Sequence, residues 1–183
     1  VGLPDLNRPY RGWKATFFEG GIRTPFFARW PGHIAAGSHI RGPATHMDIF
    51  TTAAAAAGAP AQTQSDGVNL LPYLTGQQNG ALQRRLFWRS GPYRVVRDGD
   101  WKLQVSETPD RVWLFDLSND PTEQHDLSAQ QPERVAAMRA MIEAQNANLP
   151  PPLWPALLEG PVRIDVPLNA PWSEDQEYVY WSN

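Results

Sequence analysis

Four short apolar segments follow one another closely in the second half of the chain, and they constrain its fold more than any other feature. They cover Leu86–Arg89, Tyr93–Val96, Trp101–Val105 and Val112–Leu117. Such closely spaced segments predict a small antiparallel sheet. The last segment carries apolar residues on both of its faces, so we expect it to be a central strand.

The hairpin between the second and third segments has a register that the apolar pattern can predict. A loop of residues 97–99 pairs Val95 with Trp101 and Tyr93 with Leu103. A two-residue turn of residues 98–99 would instead pair Arg94 with Leu103, which brings a charged side chain onto the apolar face. The sequence therefore predicts the three-residue loop, with its glycine in the left-handed conformation of a bulge.

A helix is predicted after the sheet. Pro132 suits the first turn of a helix, and Val135, Met138 and Ile142 follow at helical spacing. This narrow apolar stripe predicts that the helix covers one face of the sheet.

A strand followed by a helix is predicted nearer the start of the chain. The segment Pro25–Trp30 is apolar on both faces, which is typical of an internal strand. Thr45 and Asp48 have the spacing of a capping box, and apolar residues from Ile49 to Ala57 recur at helical spacing. A helix so rich in alanine is expected to lie close against a sheet, as in an α/β domain.

The change from a strand and helix to closely spaced strands places a boundary near residues 76–84, and the patterns divide the chain into three parts. Residues 1–80 contain the predicted strand and helix of α/β type, and residues 81–147 the small antiparallel sheet with its helix. Residues 148–183, with seven prolines, are predicted to be an extended arm that ends in a strand. Because tryptophan is costly to leave in water, we expect the tryptophans of the arm to pack on the body. Disorder of the arm is the alternative.

Composition excludes several classes of function. With 16 Lys and Arg against 19 Asp and Glu, the net charge is −3, so no nucleic-acid partner is expected. The absence of cysteine excludes disulfides, thiolate metal sites and a cysteine nucleophile within these residues. No apolar run approaches the ~18–20 residues of a membrane-spanning helix, so no membrane partner is expected. The sequence starts at Val1 without Met or a signal peptide, which we interpret as a piece of a longer protein.

The sequence lacks the motifs of a complete catalytic unit. It contains no G-x-S-x-G, Walker or H-E-x-x-H motif, and its four histidines lack the spacing of a metal site. Asp116, Asn119 and Asp120 offer oxygen ligands, but a turn before the next proline explains them better than calcium does. The most suggestive residue is Lys14, which lies among aromatic residues in a loop before a predicted strand. A solvated amine is the alternative for this lysine.

Residues 11–34 resemble a block of the sulfatase family. They read R-G-W-K-A-T-F-F-E-G-G-I-R-T-P-F-F-A-R-W-P-G-H-I, and the family block is written G-K-x-T-x-x-E-G-G-x-R-x-P-x-x-x-x-W-P-G. Trp13 departs from it, since many members have glycine there. Four later segments are similar to later blocks of the family, in the same order: T-H-M-D-I-F-T-T-A-A-A-A-A-G-A, D-G-V-N-L-L-P-Y-L-T-G, V-R-D-G-D-W-K-L and L-F-D-L-S-N-D-P-T-E-Q-H-D-L. The resemblance covers residues 8–128. It implies that residues 1–80 are the C-terminal edge, a strand and a helix, of a large α/β domain of a longer protein.

The resemblance implies a hydrolase of sulfate esters in the alkaline-phosphatase-like superfamily, acting on a sulfated small molecule or glycan. Members use a formylglycine nucleophile, made from the Cys or Ser of a C-x-P-S-R or S-x-P-S-R motif, and a divalent cation, expected to be calcium. Neither motif occurs in the 183 residues. The nucleophile and the cation ligands are therefore expected upstream of residue 1, in a missing N-terminal part of the same protein, and no cation is expected in this fragment. A periplasmic or secreted location fits the family, although the sequence leaves the compartment open.

Only Lys14 carries over as an active-site group, because it matches the family lysine that contacts the sulfate. A fixed ammonium at that place stabilises the negative charge that builds up on the sulfate oxygens. Glu19, Gly20, Gly21 and Arg23 also match the family. We interpret them as structural support: glycines for close passage of the backbone, and a Glu–Arg pair that aims the lysine.

Two alternatives stay open at this point. One is a phosphomonoester, phosphodiester or phosphonate hydrolase of the same superfamily, which shares the metal scaffold. The other is a non-catalytic carbohydrate-binding module, because 8 Trp and 5 Tyr offer flat rings that stack on sugars. Under the sulfatase interpretation the fragment alone is expected to be inactive, since it brings one charged contact and no nucleophile.

Overall fold

A computed structural model describes residues 7–60, 64–151, 153–166 and 169–182. The parts of the three predicted domains that fall on other residues lie outside this description. The chain forms two compact units, one of Val1–Thr24 with Arg85–Asn183 and the other of Pro25–Arg84. The predicted boundaries after residues 80 and 147 refer to a longer protein and stay predictions.

The described residues form four helices and six strands. The helices are α1 (Glu19–Ile22), α2 (Met47–Ala56), α3 (Leu71–Leu74) and α4 (Pro132–Ala147). The strands are β1 (Arg85–Ser90), β2 (Tyr93–Asp98), β3 (Trp101–Glu107), β4 (Asp110–Asp116), β5 (Glu159–Arg163) and β6 (Tyr178–Ser182). None of the helices in the described ranges combines the length and the apolar character that crossing a membrane requires.

Strands β1 to β4 form an antiparallel sheet in the order of the sequence, which confirms the four predicted strands. The prediction that the last of them is central was wrong, because β4 lies at the edge. Its outer side is covered by the loop that follows it: Leu127 N donates to Leu114 O at 2.8 Å, and Leu114 N donates to Asp126 Oδ1 at 3.0 Å. Both faces of β4 are also packed, which explains why apolar residues occupy both of its sides.

The hairpin between β2 and β3 closes with a two-residue turn of Gly99 and Asp100. The predicted three-residue loop was therefore wrong, and the alternative turn of residues 98–99 does not form either. Val96 pairs with Leu103, and Val95 pairs with Gln104. The prediction assumed that polar residues of β3 face water, but Gln104 and Leu103 are both 0% exposed although they lie on opposite faces. Burial of a polar face therefore fixes a register that the apolar pattern alone did not indicate. The turn glycine has the predicted left-handed conformation, with a φ of 60°.

Helix α4 covers one face of the sheet, as predicted. Met138 and Ile142 on the helix pack with Val96, Leu103 and Leu114 on the strands, and all five are buried. The helix begins with its proline at the first position. Val135 of the stripe and Met141 outside it also pack against this cluster.

The opposite face of the sheet packs against segments from both ends of the chain. The ring of Phe18 lies edge-on to that of Trp113, with centroids 5.7 Å apart. The full set of buried residues in this cluster is Phe17, Phe18, Tyr93, Val95, Trp113, Phe115, Leu117, Ile164 and Val179. The segment around Lys14 is thus built into the same unit as the sheet.

The C-terminal arm forms a second antiparallel sheet, in which β5 pairs with β6, so the predicted terminal strand is confirmed. Val179 and Ile164 are 0% exposed and supply its core contact. Trp181 is partly buried against the core cluster. Trp154 and Trp172 are 70% and 54% exposed, so the expectation that they pack on the body was wrong. The arm therefore contributes Ile164, Val179 and Trp181 to the core cluster, but not these two tryptophans.

Helix α2, in the second unit, buries its polar side. Asp48 is 0% exposed, whereas Ile49 and Phe50 are 50% and 61% exposed, so the contact of the apolar side with a sheet stays a prediction. Thr45 N donates to Asp48 Oδ2 at 2.6 Å, so this half of the predicted capping box is present. Asp48 also pairs with Arg84 at 2.6 Å. The helix is thus anchored by a buried carboxylate.

The predicted strand at Pro25–Trp30 does not form in this structure, where the segment belongs to no helix or strand. Phe27 is 91% exposed and Phe26 is 52% exposed. A strand needs a neighbour whose backbone groups satisfy its own, and the described part of this unit contains no strand. Within the described part of the unit, therefore, no strand covers the apolar side chains of this segment.

Candidate functional site

Lys14 lies at the second position of a tight turn. The turn runs from Trp13 to Thr16 and is closed by a hydrogen bond of 2.9 Å from Thr16 N to Trp13 O. The Thr16 hydroxyl also donates to Trp13 O, at 2.8 Å. Lys14 itself is exposed, and its ammonium has no ion-pair or hydrogen-bond partner among the residues that the structure describes. The turn therefore presents an unpaired cation to solvent.

The backbone of the turn is held in an unfavourable conformation by its surroundings. Ala15 has a φ of 74°, a left-handed conformation that costs an L-residue about 1–2 kcal/mol. Trp13 is 6% exposed, and its Nε1 donates to Arg163 O at 2.7 Å. Backbone strain of this kind persists only where packing imposes it, and it is frequent at functional sites.

Helix α1 packs its backbone directly on the turn. A Cβ atom on Gly21 would lie 2.2 Å from Thr16 O, and one on Gly20 would lie 2.4 Å from Gly12 O. Gly20 N donates to Arg11 O at 2.7 Å. Both glycines permit a backbone contact that no side chain allows, while their role in aiming the lysine stays a prediction.

Glu19 and Arg23 form an ion pair that is long and partly exposed. Arg23 Nη1 lies 3.6 Å from Glu19 Oε2, and the Arg23 side chain is 51% exposed. Its guanidinium lies over the ring of Tyr10, 4.5 Å from the centroid. Exposed pairs contribute less than about 1 kcal/mol. Glu19 is itself buried, and its closer partner is Lys102 at 2.9 Å.

Lys102 is fully buried and bridges two carboxylates. Its Nζ lies 2.9 Å from Oε1 of Glu19 and 2.9 Å from Oε1 of Glu123. Glu123 also accepts a hydrogen bond from the backbone N of Glu19. Because loss of one member leaves an uncompensated buried charge, the three side chains depend on one another.

Gln104 and Tyr93 extend this network along the loop. Gln104 Nε2 donates to Glu123 Oε1 at 3.1 Å, and the Tyr93 hydroxyl donates to Gln104 Oε1. The same hydroxyl accepts a hydrogen bond of 3.1 Å from Phe17 N. Two backbone amides of the loop, those of Phe17 and Glu19, are therefore held by buried side chains. We call these five side chains, of Glu19, Tyr93, Lys102, Gln104 and Glu123, the buried network.

The buried network places one cation against two carboxylates. Burial raises the pKa of Glu123, although Lys102 acts in the opposite direction. Burial also raises the pKa of Tyr93 well above its usual range, so its hydroxyl stays a hydrogen-bond donor at neutral pH. Glu123 therefore takes up a proton at a higher pH than a solvent-exposed glutamate does.

Sequence reasoning selected only Glu19 from this network. A signal for Lys102 and Gln104 was present, because they alternate with Trp101 and Leu103 along β3. That alternation is typical of a half-exposed strand, and nothing local indicates that the polar side is buried. Glu123 lies in a loop, with a φ of 58°, and no local pattern marks it.

Arg11 fastens the segment before the turn to the C-terminal arm. Its Nε donates to Asp165 Oδ2 at 2.8 Å, and its guanidinium also pairs with Glu177. The guanidinium lies 4.8 Å from the ring centroid of Phe18. Arg11 thus satisfies its charge within the protein, whereas Lys14 is exposed.

Asp116, Asn119 and Asp120 lie together in a turn after β4. Asp116 accepts hydrogen bonds from Ser118 N at 3.0 Å and from Asn119 Nδ2 at 2.8 Å, while Asp120 accepts one from His125 N at 2.8 Å. The hydrogen bond from the Ser118 hydroxyl lowers the pKa of Asp116. Throughout the described ranges, no group of three or more His, Cys, Asp or Glu side chains is arranged to hold a metal ion.

Comparison with known proteins shows what the chain is similar to. Residues 11–148 match the family model described as N-sulphoglucosamine sulphohydrolase, C-terminal. Steryl-sulfatase of Homo sapiens is 34% identical over 180 residues, which cover 78% of this chain and 30% of that protein. N-acetylgalactosamine-6-sulfatase of Homo sapiens is 42% identical over 87 residues, covering 46% of this chain and 16% of that protein. The chain spans about a third of the length of the steryl-sulfatases that it matches.

Solved structures with a similar fold include two large proteins. A crystal structure of Ps i-CgsB has a TM-score of 0.68 and 28% identity, covering 81% of this chain and 34% of that one. A structure described in connection with glycosaminoglycan metabolism by Bacteroides thetaiotaomicron, BT33336S-sulf, has a TM-score of 0.60 and 25% identity, covering 76% and 32% of the two chains. The range matched by the family model contains both the Lys14 turn and the buried network.

Proposed function

Because the chain belongs to the family of the N-sulphoglucosamine sulphohydrolase C-terminal domain, we propose that it is the C-terminal part of an enzyme that hydrolyses sulfate esters. The resemblance to the sulfatase family that the sequence indicates is confirmed by the family match and by the relatives named above. The α/β fold class agrees with the structural neighbours. The proposed substrates are sulfated small molecules or glycans.

One observation carries the role of this chain in that reaction: Lys14 is exposed, lacks a partner among the described residues, and lies on a turn whose backbone is fixed by packing. During hydrolysis of a sulfate ester, negative charge builds up on the sulfate oxygens and the leaving oxygen. A cation held at a fixed place stabilises that charge without solvent reorganisation. Lys14 is therefore proposed to contact the sulfate, with Glu19, Gly20, Gly21 and Arg23 supporting its loop.

The nucleophile and the divalent cation are proposed to come from the N-terminal part of the parent protein. In the family these are a formylglycine and a cation, here proposed to be calcium, which polarises the sulfate when bound. The described residues do not fit a metal site, since no group of three or more His, Cys, Asp or Glu side chains among them comes together. We assign no residue of this chain to the cation.

Exposed apolar residues support the proposal that residues 1–80 are the edge of a larger domain. Phe26, Phe27, Ile49 and Phe50 are each at least half exposed. Exposed aromatic and aliphatic side chains in such number are typical of a surface that another part of the protein covers. The missing N-terminal part of the same chain is the proposed partner. On this proposal the fragment alone is inactive.

Hydrolysis assays with the full-length parent and with the 183-residue chain test the proposal. The parent is expected to turn over 4-nitrophenyl sulfate, and the isolated chain to show no more turnover than its Lys14→Ala variant. Preference of the parent for 4-nitrophenyl phosphate would favour a phosphoester hydrolase. Glycan binding by the isolated chain that is lost in Trp172→Ala, with the fold intact, would favour a carbohydrate-binding module, since Trp172 is 54% exposed.

A further inference from the structure

We propose that Lys102, Glu123 and Tyr93 of the buried network are positioning residues for Lys14: they hold the loop that carries the lysine at a fixed place relative to the sheet. This inference rests on the proposed function, because it gives these residues a role in the reaction only through the contact between Lys14 and sulfate.

The buried network contacts the start of α1. Lys102 Nζ lies 2.9 Å from Glu19 Oε1, and Glu123 accepts a hydrogen bond from Glu19 N. Lys102 and Glu123 are 0% exposed, and Glu19 is 4% exposed. The position of Glu19, in its side chain and in its backbone, is therefore set by two buried residues from β3 and from the loop after β4.

Backbone contacts connect α1 to the turn that carries Lys14. Gly20 N donates to Arg11 O at 2.7 Å. The position of a Cβ atom on Gly21 is only 2.2 Å from Thr16 O and 2.6 Å from Trp13 O. No flexible side chain lies between these backbones, so a displacement of Glu19 is passed on to the turn.

The position of Lys14 depends on this backbone. Within the described residues the Lys14 ammonium has no partner that could fix it, so its position depends on the backbone of its turn. The predicted Glu19–Arg23 pair is 3.6 Å long and half exposed at Arg23, which makes it a weak restraint. The Lys102 contact is shorter and excludes water, so it replaces the predicted pair as the main restraint on the loop.

The cost of burying charge supports a positional role over a purely stabilising one. A buried ion pair is often no more stable than apolar residues of similar volume, and its best-attested use is to fix one arrangement. Here one ammonium and two carboxylates occupy a face of the sheet that otherwise packs aromatic and aliphatic residues. A sheet that needed only stability would be served by apolar residues at these positions.

Double-mutant cycles in the full-length parent test the inference. The variants are Glu123→Gln and Tyr93→Phe, each alone and combined with Lys14→Ala, with kcat/KM measured on 4-nitrophenyl sulfate. We expect each single network variant to lower kcat/KM about 10-fold or more, and to cause no further loss when Lys14 is already alanine. Arg85→Gln is the matched control, since Arg85 forms an exposed pair with Asp98 in the same sheet; it is expected to leave kcat/KM unchanged in both backgrounds.

Hydrogen exchange supplies a second readout. The backbone amides of residues 11–22 are expected to exchange faster in Glu123→Gln and Tyr93→Phe than in Arg85→Gln. If Glu123→Gln fails to fold, Tyr93→Phe decides the outcome. Two results would overturn the positioning role alone. One is a combined variant in which the loss of kcat/KM from the network substitution multiplies with the loss from Lys14→Ala. The other is unchanged amide exchange in residues 11–22. No loss in Lys14→Ala would overturn the sulfate contact of Lys14, and the positioning role with it.

Discussion

The Nζ atom of Lys102 lies 2.9 Å from the Oε1 atom of Glu19, although the two residues are 83 positions apart in the sequence. Glu123 completes the cluster on the other side of the ammonium, also at 2.9 Å. Each residue comes from a different segment that resembles the sulfatase family: the block around E-G-G, the block V-R-D-G-D-W-K-L and the block ending T-E-Q-H-D-L. Three of the five segments therefore meet in one buried contact, which gives a physical reason for their occurrence together.

Replacement of Lys102 by methionine is expected to destabilise the protein by about 3–5 kcal/mol, because two carboxylates stay buried without a cation. Urea unfolding measures the change. Arg85→Met is the matched control: its pair with Asp98 is 44% and 39% exposed, so a loss below about 1 kcal/mol is expected. Similar losses in the free energy of unfolding of the two variants would contradict the expected cost of leaving the carboxylates beside Lys102 buried without a cation.

Glu123 is expected to make stability depend on pH. Burial raises its pKa in the folded protein above the ordinary value of 4.5. Its contribution to stability is therefore fully present below that ordinary value and is lost as the pH rises through the folded-state pKa. Glu123→Gln removes this titration, so the free energy of unfolding of the variant, relative to the wild type, should rise with pH in that window and be level above it. Urea unfolding over a pH series measures this difference, and a difference that falls with pH would contradict the assignment.

Ala15 is expected to respond to substitution according to its positive φ of 74°. Glycine adopts this conformation without strain, so Ala15→Gly should stabilise the protein by up to about 1 kcal/mol. Valine is branched at Cβ and disfavours it more strongly, so Ala15→Val should destabilise the protein. The two melting temperatures, measured side by side, are expected to lie on opposite sides of the wild-type value. The reverse order would mean that the turn does not adopt this backbone conformation.

Gly21 is expected to tolerate no side chain. A Cβ atom would lie 2.2 Å from Thr16 O, which is backbone and cannot rotate away. Gly21→Ala should therefore lower stability by more than about 2 kcal/mol and weaken the contact between α1 and the turn. Gly160→Ala is the control, since no atom lies within 4 Å of its Cβ position. Equal effects of the two substitutions on the melting temperature would refute the close backbone contact.

Patterns of neighbouring residues in the sequence correctly predict the elements whose formation depends on those neighbours. The four strands of the main sheet have apolar residues at short spacing, and α4 has a proline at its start and a stripe that includes Met138 and Ile142. These features depend on neighbouring residues in the sequence, and they are present in the structure. The family blocks likewise led to Lys14, because a motif match needs no knowledge of packing.

The pattern failed where distant segments determine the environment. Lys102 and Gln104 have the alternation of a water-facing side, but segments distant in the sequence bury them, among them the loop that carries Glu123. Because Gln104 is buried, Val95 pairs with it, whereas the prediction paired Val95 with Trp101. At Pro25–Trp30 the failure was the opposite: the apolar pattern indicated an internal strand, but the described part of its unit offers no neighbouring strand. Both errors arise because burial is a property of the assembled chain.

The most direct test of the account is the effect of Lys14→Ala on sulfate-ester hydrolysis by the full-length parent. Lys14 is exposed, so the substitution should leave stability unchanged while it lowers kcat/KM on 4-nitrophenyl sulfate about 100-fold or more, as loss of one fixed stabiliser of developing charge does. A kcat/KM within about 2-fold of the wild type, in a variant shown to be folded, would contradict the claim that this chain supplies a sulfate contact.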